Sequence, residues 1–267
     1  MSKAIISDID GTLLWKAADI APLEVSDAIS VFQKHRNYFG LCTGRALEGC
    51  RPIINSLKGI NLPSIFFGGA LIWDTNADKE IFSKPLDKSI LNVIPQIIAK
   101  YEKVSVTLNS IDEAWTVRTN EILQTKATTY DRSTPVVDIN RINLKDKKLL
   151  KVLLTCDDPD VLKKIRSELL DPSLFHRVFA SRHFFEITDH TVDKGKAIEI
   201  LKEIYPHLKN GKLWAAGDAQ SDAPMRHYVN CFACPEDAHP AVVELADFIF
   251  PSAQKAGFVK FIDHLLK

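Results

Sequence analysis

The chain has 267 residues, of which 46% are hydrophobic and 25% are charged, and its 34 basic residues balance 34 acidic ones. This length suits two domains, and the composition excludes a disordered chain. A net charge of zero provides no bulk attraction for nucleic acid or an anionic membrane, so neither is an expected partner. The start MSKAIISDIDGT resembles neither a signal peptide nor a membrane span, and five scattered cysteines are typical of reduced thiols. We therefore expect a cytoplasmic protein.

The first stretch of the chain alternates strand-like and helix-like patterns. Apolar runs of strand length occur in AIISDI, YFGLCT and SIFFGGALIWD, the last of which we expect to bend at its glycines. Helical spacing of apolar residues occurs between them, in LEVSDAISVFQKH and ALEGCRPIINSLKGI. This β-α-β-α-β order predicts a parallel sheet with helices on both faces.

In the middle stretch, helical and strand patterns follow a different order. Helical patterns occur in KSILNVIPQIIAKYEK, EILQTKATTY and DPDVLKKIRSELLD, the last with Asp158 available as an N-cap. Strand patterns occur in VSVTLNS, AWTVRTN, LLKVLLTC, HRVFASR and HFFEIT. Neighbouring strands with helices between pairs predict an open α+β layer that is mostly antiparallel.

The α/β alternation returns from about Val192. Helical patterns in DKGKAIEILKEIYPHL, SDAPMRHYV, AVVELADF and GFVKFIDHLLK alternate with strand patterns in KLWAAGDA, NCFACPE and DFIFP. The prediction is an α/β fold with a Rossmann-like parallel-sheet core, built from residues 1–83 and 191–267. Residues 84–190 are predicted to form an inserted α+β domain.

Two acidic side chains follow the first predicted strand, in the sequence Asp8-Ile9-Asp10-Gly11-Thr12. Ligands of open α/β sheets bind beyond the carboxyl ends of the strands. Carboxylates at positions i and i+2 project from the same side of an extended chain, and a buried charge must be paired or bind metal. A strand-ending turn capped by Asp10 also accounts for this segment, so the motif alone leaves both interpretations open.

Polar motifs stand at three further points just beyond a strand or at a helix start. Thr43 and Gly44 offer a hydroxyl and a permissive backbone that could hold an anionic oxygen at a helix entry. Lys194 opens the helix where the middle stretch ends, and Asp218 and Asp222 follow a later strand. Each has an ordinary structural explanation by itself. Their common placement favours one functional edge of the sheet.

These motifs resemble those of a known family. DIDGT, TGR, the lysine of DKGKA and GDAQSD match, in order, the four motifs of haloacid dehalogenase-like phosphatases. The insertion and the return EIT…DKGKA are similar to the branch with a large α/β cap, of which Cof-type sugar-phosphate phosphatases are the nearest group. Ser221 stands where these relatives usually carry Asn, and Gly68-Gly69 stands where they usually carry Asn-Gly.

The resemblance implies a magnesium-dependent phosphatase that acts on a small phosphate ester, with a sugar phosphate as the expected substrate. Asp8 would be the nucleophile that becomes an aspartyl phosphate, and Asp10 the general acid and base. Thr43 and Lys194 would bind the phosphoryl oxygens. The implied Mg²⁺ site comprises Asp8, the backbone carbonyl of Asp10, Asp218, and Asp222 as a second or outer carboxylate.

Substrate recognition is expected from the inserted domain, which the resemblance makes a cap. Arg45 follows the Thr43-Gly44 turn and could reach a substrate group. Arg182 and His183 in the cap could contact hydroxyls or a second anion, although solvated surface side chains are the more common explanation of such a pair.

Alternatives to a phosphatase remain at this stage. A phosphomutase would use the same chemistry of Asp8 and Asp10 and return the phosphoryl group to the sugar. A non-catalytic binding protein could use the same scaffold, whereas a dehalogenase is disfavoured because Asp10 is superfluous to that reaction. The only expected partner is a small-molecule phosphate ester, bound by a monomer or a small homo-oligomer.

Overall fold

The computed structural model describes residues 2–15 and 18–267. The first stretch contains β1 (Lys3–Ser7), α1 (Leu23–Lys34), β2 (Tyr38–Leu41), α2 (Leu47–Ser56), β3 (Ser64–Phe66), β4 (Leu71–Asp74) and β5 (Lys79–Ser83). The middle stretch contains α3 (Ile90–Lys100), β6 (Ser105–Asn109), β7 (Ala114–Arg118), α4 (Glu121–Lys126), α5 (Thr129–Ser133), β8 (Lys151–Thr155), α6 (Pro159–Glu168), β9 (Phe175–Ser181) and β10 (Phe184–Asp189). The last stretch contains α7 (Lys194–Ile204), α8 (His207–Asn210), β11 (Lys212–Ala216), β12 (Cys231–Pro235), α9 (Pro240–Val243), β13 (Phe248–Phe250) and α10 (Gly257–Leu266).

The chain divides into two compact units. The first comprises Met1–Arg45, Cys50–Phe82 and Asp193–Lys267, and the second comprises Ala46–Gly49 and Ser83–Val192. The first unit contains a five-stranded parallel sheet and the second a five-stranded antiparallel one. The predicted functions of the two parts, a catalytic core and a specificity cap, stay predictions.

The parallel sheet has the strand order β13-β12-β11-β1-β2, which confirms the predicted α/β fold. Ser7 at the end of β1 pairs with Ala216 of β11 on one side and with Leu41 of β2 on the other. The carboxyl ends of these three strands are therefore level, and the loops that follow them emerge side by side.

Helices cover both faces of this sheet. On one face, Ile6 of β1 packs in an apolar cluster with Ile198 of α7. On the other face, Phe39 of β2 contacts Phe258 of α10 edge to face, with ring centroids 6.1 Å apart. Burying each such side chain contributes about 1.5–3 kcal/mol, so the continuous apolar runs of these strands account for helices on both faces of the sheet.

The antiparallel sheet of the second unit has the order β7-β6-β8-β10-β9. Alternate residues of its central strands, among them Val106 and Val152, point into an apolar cluster with Ile94 of α3 and Ile165 of α6. Asp158 caps α6 as predicted, because its side chain accepts a hydrogen bond from the backbone N–H of Asp160. The intervening residues of the strands form the other face, which is largely polar.

Several sequence-based predictions were wrong in detail. SIFFGGALIWD is not one bent strand: a turn at Phe67–Gly69 separates β3 from β4, and β3, β4 and β5 form a small sheet. The reason is that Gly68 and Gly69 have φ of 64° and 114° and reverse the chain. EILQTKATTY forms two short helices instead of one. SDAPMRHYV, predicted as an α-helix, lies in the 3-10 segment Gln220–Tyr228, which contains Pro224 and so lacks one backbone N–H.

Within the described residues, no helix combines the length and apolar character needed to cross a membrane.

Candidate active site

The predicted functional loops meet at the carboxyl edge of the parallel sheet. The N–H of Asp8 donates to the carbonyl of Ala216 at 2.8 Å, and the N–H of Cys42 donates to the carbonyl of Ser7 at 2.7 Å. The loop after β1 is thus held between the loops that follow β11 and β2. Asp8, Asp218 and Thr43 are brought to one edge, as parallel strand ends require.

Two residues of the loop after β1 orient Asp218. The hydroxyl of Thr12 donates to Oδ1 of Asp218 at 2.8 Å. Gly11 has φ of 84°, and a Cβ at this position would lie 2.4 Å from Oδ2 of Asp218. Only glycine meets both requirements. Sequence reasoning gave Thr12 no function, although its place within DIDGT was the available signal.

A buried ion cluster links Asp8, Lys194 and Asp222. Nζ of Lys194 lies 2.7 Å from Oδ1 of Asp8 and 2.5 Å from Oδ1 of Asp222, and all three side chains are buried. Burial raises the pKa of Asp8 well above its usual value, and Lys194 only partly opposes this shift. Burial acts to lower the pKa of Lys194, but the two carboxylates outweigh it and raise that pKa, so the ammonium remains charged.

Asp222 has both carboxylate oxygens engaged. Oδ1 accepts from Lys194, while Oδ2 accepts from the backbone N–H groups of Asp218 at 3.0 Å and Ala219 at 2.9 Å. Asp222 therefore holds the ammonium of Lys194 and fixes the loop that carries Asp218. Its side chain is fully buried, and its hydrogen bonds position Lys194 and the backbone of Asp218.

The Thr43-Gly44-Arg45 turn follows β2. Oγ1 of Thr43 accepts from the N–H of Arg45 at 3.1 Å, which leaves the hydroxyl proton of Thr43 available to an anion. The guanidinium of Arg45 forms a two-point contact with the carboxylate of Asp10, with Nε–Oδ2 at 2.7 Å and Nη2–Oδ1 at 2.5 Å. Burial acts to lower the pKa of Arg45, but the hydrogen bond to Asp10 and the neighbouring negative charges, that of Asp10 first among them, together outweigh burial and raise the pKa.

Arg45, predicted as a substrate-contacting residue, thus contacts Asp10, whose side chain is 40% exposed. Nη2 also donates to the carbonyl of Ala18 at 3.0 Å, which anchors the residues that follow the loop after β1. Gly44 is half-buried within the same turn. Asp10 therefore has a fixed orientation at the exposed side of the cluster.

The oxygen atoms at this edge fit a divalent cation. One carboxylate oxygen from each of Asp8, Asp218 and Asp222 lies within 4.8 Å of the others. Burial, reinforced by the charge of Asp222, raises the pKa of Asp218 to about 7, against the effect of Thr12. Such crowding of carboxylates is relieved by a hard cation with oxygen ligands, such as Mg²⁺. Asp8 and Asp218 are the better-placed ligands, since both oxygens of Asp222 have partners.

Arg182 and His183 lie in the second unit, in the turn between β9 and β10. Nδ1 of His183 is 3.0 Å from the carbonyl of Cys156, and the N–H of Cys156 donates to the carbonyl of His183 at 3.1 Å. His183 is thus engaged with the neighbouring strand end, and Arg182 is exposed.

A model of haloacid dehalogenase-like hydrolases matches residues 5–262. The chain belongs to this family. The predicted Cof-type resemblance is confirmed, and the predicted enzyme class, a phosphoric monoester hydrolase, is confirmed at the level of the family.

Several curated relatives match nearly the whole chain, among them two whose names specify a substrate. The 5-amino-6-(5-phospho-D-ribitylamino)uracil phosphatase YwtE of Bacillus subtilis is 25% identical, over 99% of this chain and 98% of its own length. A phosphoglycolate phosphatase of Thermoplasma volcanium is 24% identical, over 93% of this chain and 92% of its own.

Many solved structures share the fold, and two examples show how closely they align. A haloacid dehalogenase-like hydrolase from Bacteroides thetaiotaomicron aligns with a TM-score of 0.84 and 19% identity, covering 99% of this chain and 100% of its own. The protein TM0651 from Thermotoga maritima aligns with a TM-score of 0.82 and 20% identity, covering 99% and 97%.

Proposed function

We propose that the chain is a Mg²⁺-dependent phosphatase that hydrolyses a small phosphorylated sugar or polyol through an aspartyl phosphate on Asp8. One observation carries the proposal: Asp8 stands just beyond the end of β1, which lies between β11 and β2, at 2.7 Å from the buried ammonium of Lys194 and beside Asp218. A phosphate dianion bound next to Asp8 would be close to the Lys194 ammonium and to the proposed Mg²⁺, whose positive charges would stabilise it. The family assignment supports the same chemistry.

In the first step the carboxylate of Asp8 attacks phosphorus and the bond to the leaving oxygen breaks. Lys194 and the Thr43 hydroxyl bind the equatorial oxygens, over which negative charge is spread in the transition state. Asp10 gives its proton to the departing alcohol. Mg²⁺ held by Asp8, Asp218 and the carbonyl of Asp10 would neutralise the repulsion between these carboxylates and the phosphate dianion.

In the second step water attacks the phosphorus of the aspartyl phosphate. Asp10, now a carboxylate, accepts the proton of that water, and the carboxylate of Asp8 is regenerated as inorganic phosphate leaves. The two-point contact with Arg45 orients Asp10 as a carboxylate, and one of its two hydrogen bonds must open when Asp10 carries the proton for the leaving alcohol.

Two relatives support the class of substrate. Their names specify a phosphorylated ribityl compound and phosphoglycolate, both small phosphate monoesters. We infer that this chain acts on a substrate of similar size, with the second unit as the cap that selects the leaving group. The expectation of a cytoplasmic enzyme belongs to the same proposal.

The test is phosphate release from a panel of sugar, polyol and aryl phosphates with Mg²⁺. Asp8→Asn is expected to lower kcat by about 10³-fold or more while the far-ultraviolet circular dichroism stays that of the parent. Asp27→Asn, which changes an exposed carboxylate of α1 paired with Lys58, is the matched control and should keep full activity. A kcat of Asp8→Asn within tenfold of that of the parent would contradict the proposal.

A further inference from the structure

Helix α7, whose first residue is Lys194, packs along the 3-10 segment Gln220–Tyr228, and both belong to the first unit. At one end of this contact, Nζ of Lys202 donates to the carbonyl of Tyr228 at 2.8 Å. At the other end, Nζ of Lys194 contacts Oδ1 of Asp222. The position of the segment along the helix therefore decides where the Asp222 carboxylate lies relative to the Lys194 ammonium.

Gly195, the second residue of α7, lies directly against the segment. A Cβ at this position would stand 2.5 Å from the carbonyl oxygen of Pro224 and 2.7 Å from Cδ2 of Tyr228. A carbon and an oxygen in contact are normally about 3.3–3.6 Å apart, so a side chain here would have to move the backbone of the segment by about 1 Å. Pro224 is only two residues from Asp222, so the carboxylate would move with it.

The helical backbone does not itself require glycine at position 195. Gly195 is a buried residue of α7 and lies outside the left-handed region, in a conformation that alanine adopts readily. Alanine also has the higher helix propensity, because glycine loses more backbone freedom on folding. The close approach of the Pro224 carbonyl is therefore the feature that glycine permits here.

The Asp222 carboxylate is held on several sides and has little freedom to compensate for a shift of the segment. Oδ1 lies 2.5 Å from Nζ of Lys194, while Oδ2 accepts from the backbone N–H groups of Asp218 and Ala219. Gly217 lies close by as well, where a Cβ would be 2.4 Å from the Cβ of Asp222. A displacement of about 1 Å would take the distance to the ammonium beyond the usual range of about 2.7–3.2 Å.

We propose that Gly195 is a positioning residue for phosphoryl transfer: it holds the segment close enough to α7 for Asp222 to fix the ammonium of Lys194. This inference rests on the proposed phosphatase function, in which Lys194 binds the equatorial phosphoryl oxygens, and deepens it by giving a role to the glycine that follows this lysine. A methyl group at position 195 acts on the reaction without touching the substrate.

The experiment compares Gly195→Ala with the parent, both as the full chain with Mg²⁺ and 4-nitrophenyl phosphate. We expect kcat to fall by between about tenfold and 10²-fold, as misplacement by about 1 Å does elsewhere. The change in kcat should exceed the change in KM, because the ammonium stabilises charge that is spread over the phosphoryl oxygens in the transition state.

Gly211→Ala is the matched control. Gly211 also lies outside the left-handed region, and a Cβ there would stand 3.0 Å from the backbone carbonyl of Ser2. It precedes β11, at the end of the sheet opposite the catalytic edge. Gly211→Ala should therefore keep the kcat of the parent, even where the added methyl group lowers stability.

A double-mutant cycle tests whether Gly195 acts through Asp222. Asp222→Asn weakens the acceptor of the Lys194 ammonium and should lower kcat by itself. Adding Gly195→Ala to Asp222→Asn should lower kcat further by no more than about twofold, because residues that act through one contact are not additive.

Three results would overturn the positioning role. They are an equal fold loss of kcat in both backgrounds, a kcat of Gly195→Ala within about twofold of the parent, and a Gly195→Ala protein that lacks the far-ultraviolet circular dichroism of the parent. The last result would show that the contact serves the fold instead of the placement of Asp222. Absence of phosphate release by the parent from every ester would instead overturn the proposed function.

Discussion

The two carboxylates that contact the Lys194 ammonium differ in the roles that we expect for them. The ammonium contacts both Asp8 and Asp222, but these two carboxylates have different surroundings. Asp8 stands at a strand end beside Asp218, whereas Oδ2 of Asp222 accepts hydrogen bonds from two backbone N–H groups. Variants of the acidic residues should therefore separate metal binding from structural support.

For Asp218→Asn we expect a higher Mg²⁺ requirement, and for Asp222→Asn a loss of stability. Removing one ligand charge should raise the Mg²⁺ concentration for half-maximal activity by at least about tenfold. Lys194 keeps Asp8 as a partner, but loss of the charged acceptor at Asp222 weakens its hydrogen bonds to Lys194 and to two backbone N–H groups and should cost about 1.5–3 kcal/mol. Mg²⁺ titration of activity and urea unfolding make the comparison, and an equal rise in Mg²⁺ requirement without destabilisation in Asp222→Asn would assign Asp222 to the metal.

Stability of the metal-free protein should fall as pH rises from about 4 to about 7. The pKa of Asp218 is raised from 3.8 to about 7 by burial, so in this window the folded state holds a proton that the unfolded state has released. More protons bound in the folded state means that the free energy of unfolding decreases with pH. The measurement is Tm in chelator at pH 5 and pH 7.5, compared with Asp218→Asn, in which the decrease should shrink. An equal decrease in both proteins would show that Asp218 is not its source.

At the scale of elements, the turn between β3 and β4 makes opposite demands on its two glycines. Gly68 has φ of 64° and open space where a Cβ would project, whereas a Cβ at Gly69 would lie 2.4 Å from the carbonyl of Asp193. Asn tolerates the left-handed region, and the relatives that this chain resembles carry Asn at the first position. A residue with a Cβ should therefore be tolerated at position 68 but not at position 69.

Gly68→Asn should change the free energy of unfolding by no more than about 1 kcal/mol, because only a left-handed φ is demanded. Gly69→Ala should cost clearly more than about 1 kcal/mol, since the backbone at the start of α7 must move. Urea unfolding of the two variants makes this comparison. Equal costs would mean that the approach to Asp193 carries no strain.

Much of this architecture could be predicted from the sequence, for identifiable reasons. The strands that carry Asp8 and Asp218 are short apolar runs followed by acids, and parallel strands must align their ends. The contact of Arg45 with Asp10 could not be predicted, because local patterns do not record where a long side chain reaches. The pairing of Asn109 with Lys151 could not be predicted either, because a lone Asn within a strand pattern carries no signal until strand register is known.

At the scale of the whole molecule, activity should depend on the identity of the divalent cation. Chelator should abolish hydrolysis of an aryl phosphate, Mg²⁺ should restore it, and Ca²⁺ should not. Mg²⁺ binds at about 2.0–2.1 Å with octahedral geometry, while Ca²⁺ takes 6–8 ligands at about 2.3–2.6 Å and would displace the attacking carboxylate. Phosphate release after dialysis against each metal is the measurement, and full activity in excess chelator would contradict the metal site.

The pairing of β1 with β11 also governs the order in which the protein can fold during synthesis. Lys3 pairs with Lys212, about two hundred residues later, and at about 5–20 residues per second the ribosome needs roughly 10–40 s to supply that partner. The strands of the antiparallel sheet all lie between Ser105 and Asp189, so that sheet is complete first. The nascent chain thus carries β1 with one edge unpaired until its carboxyl-terminal third emerges. Asp8 gains Lys194 and Asp218 only in that last interval of translation.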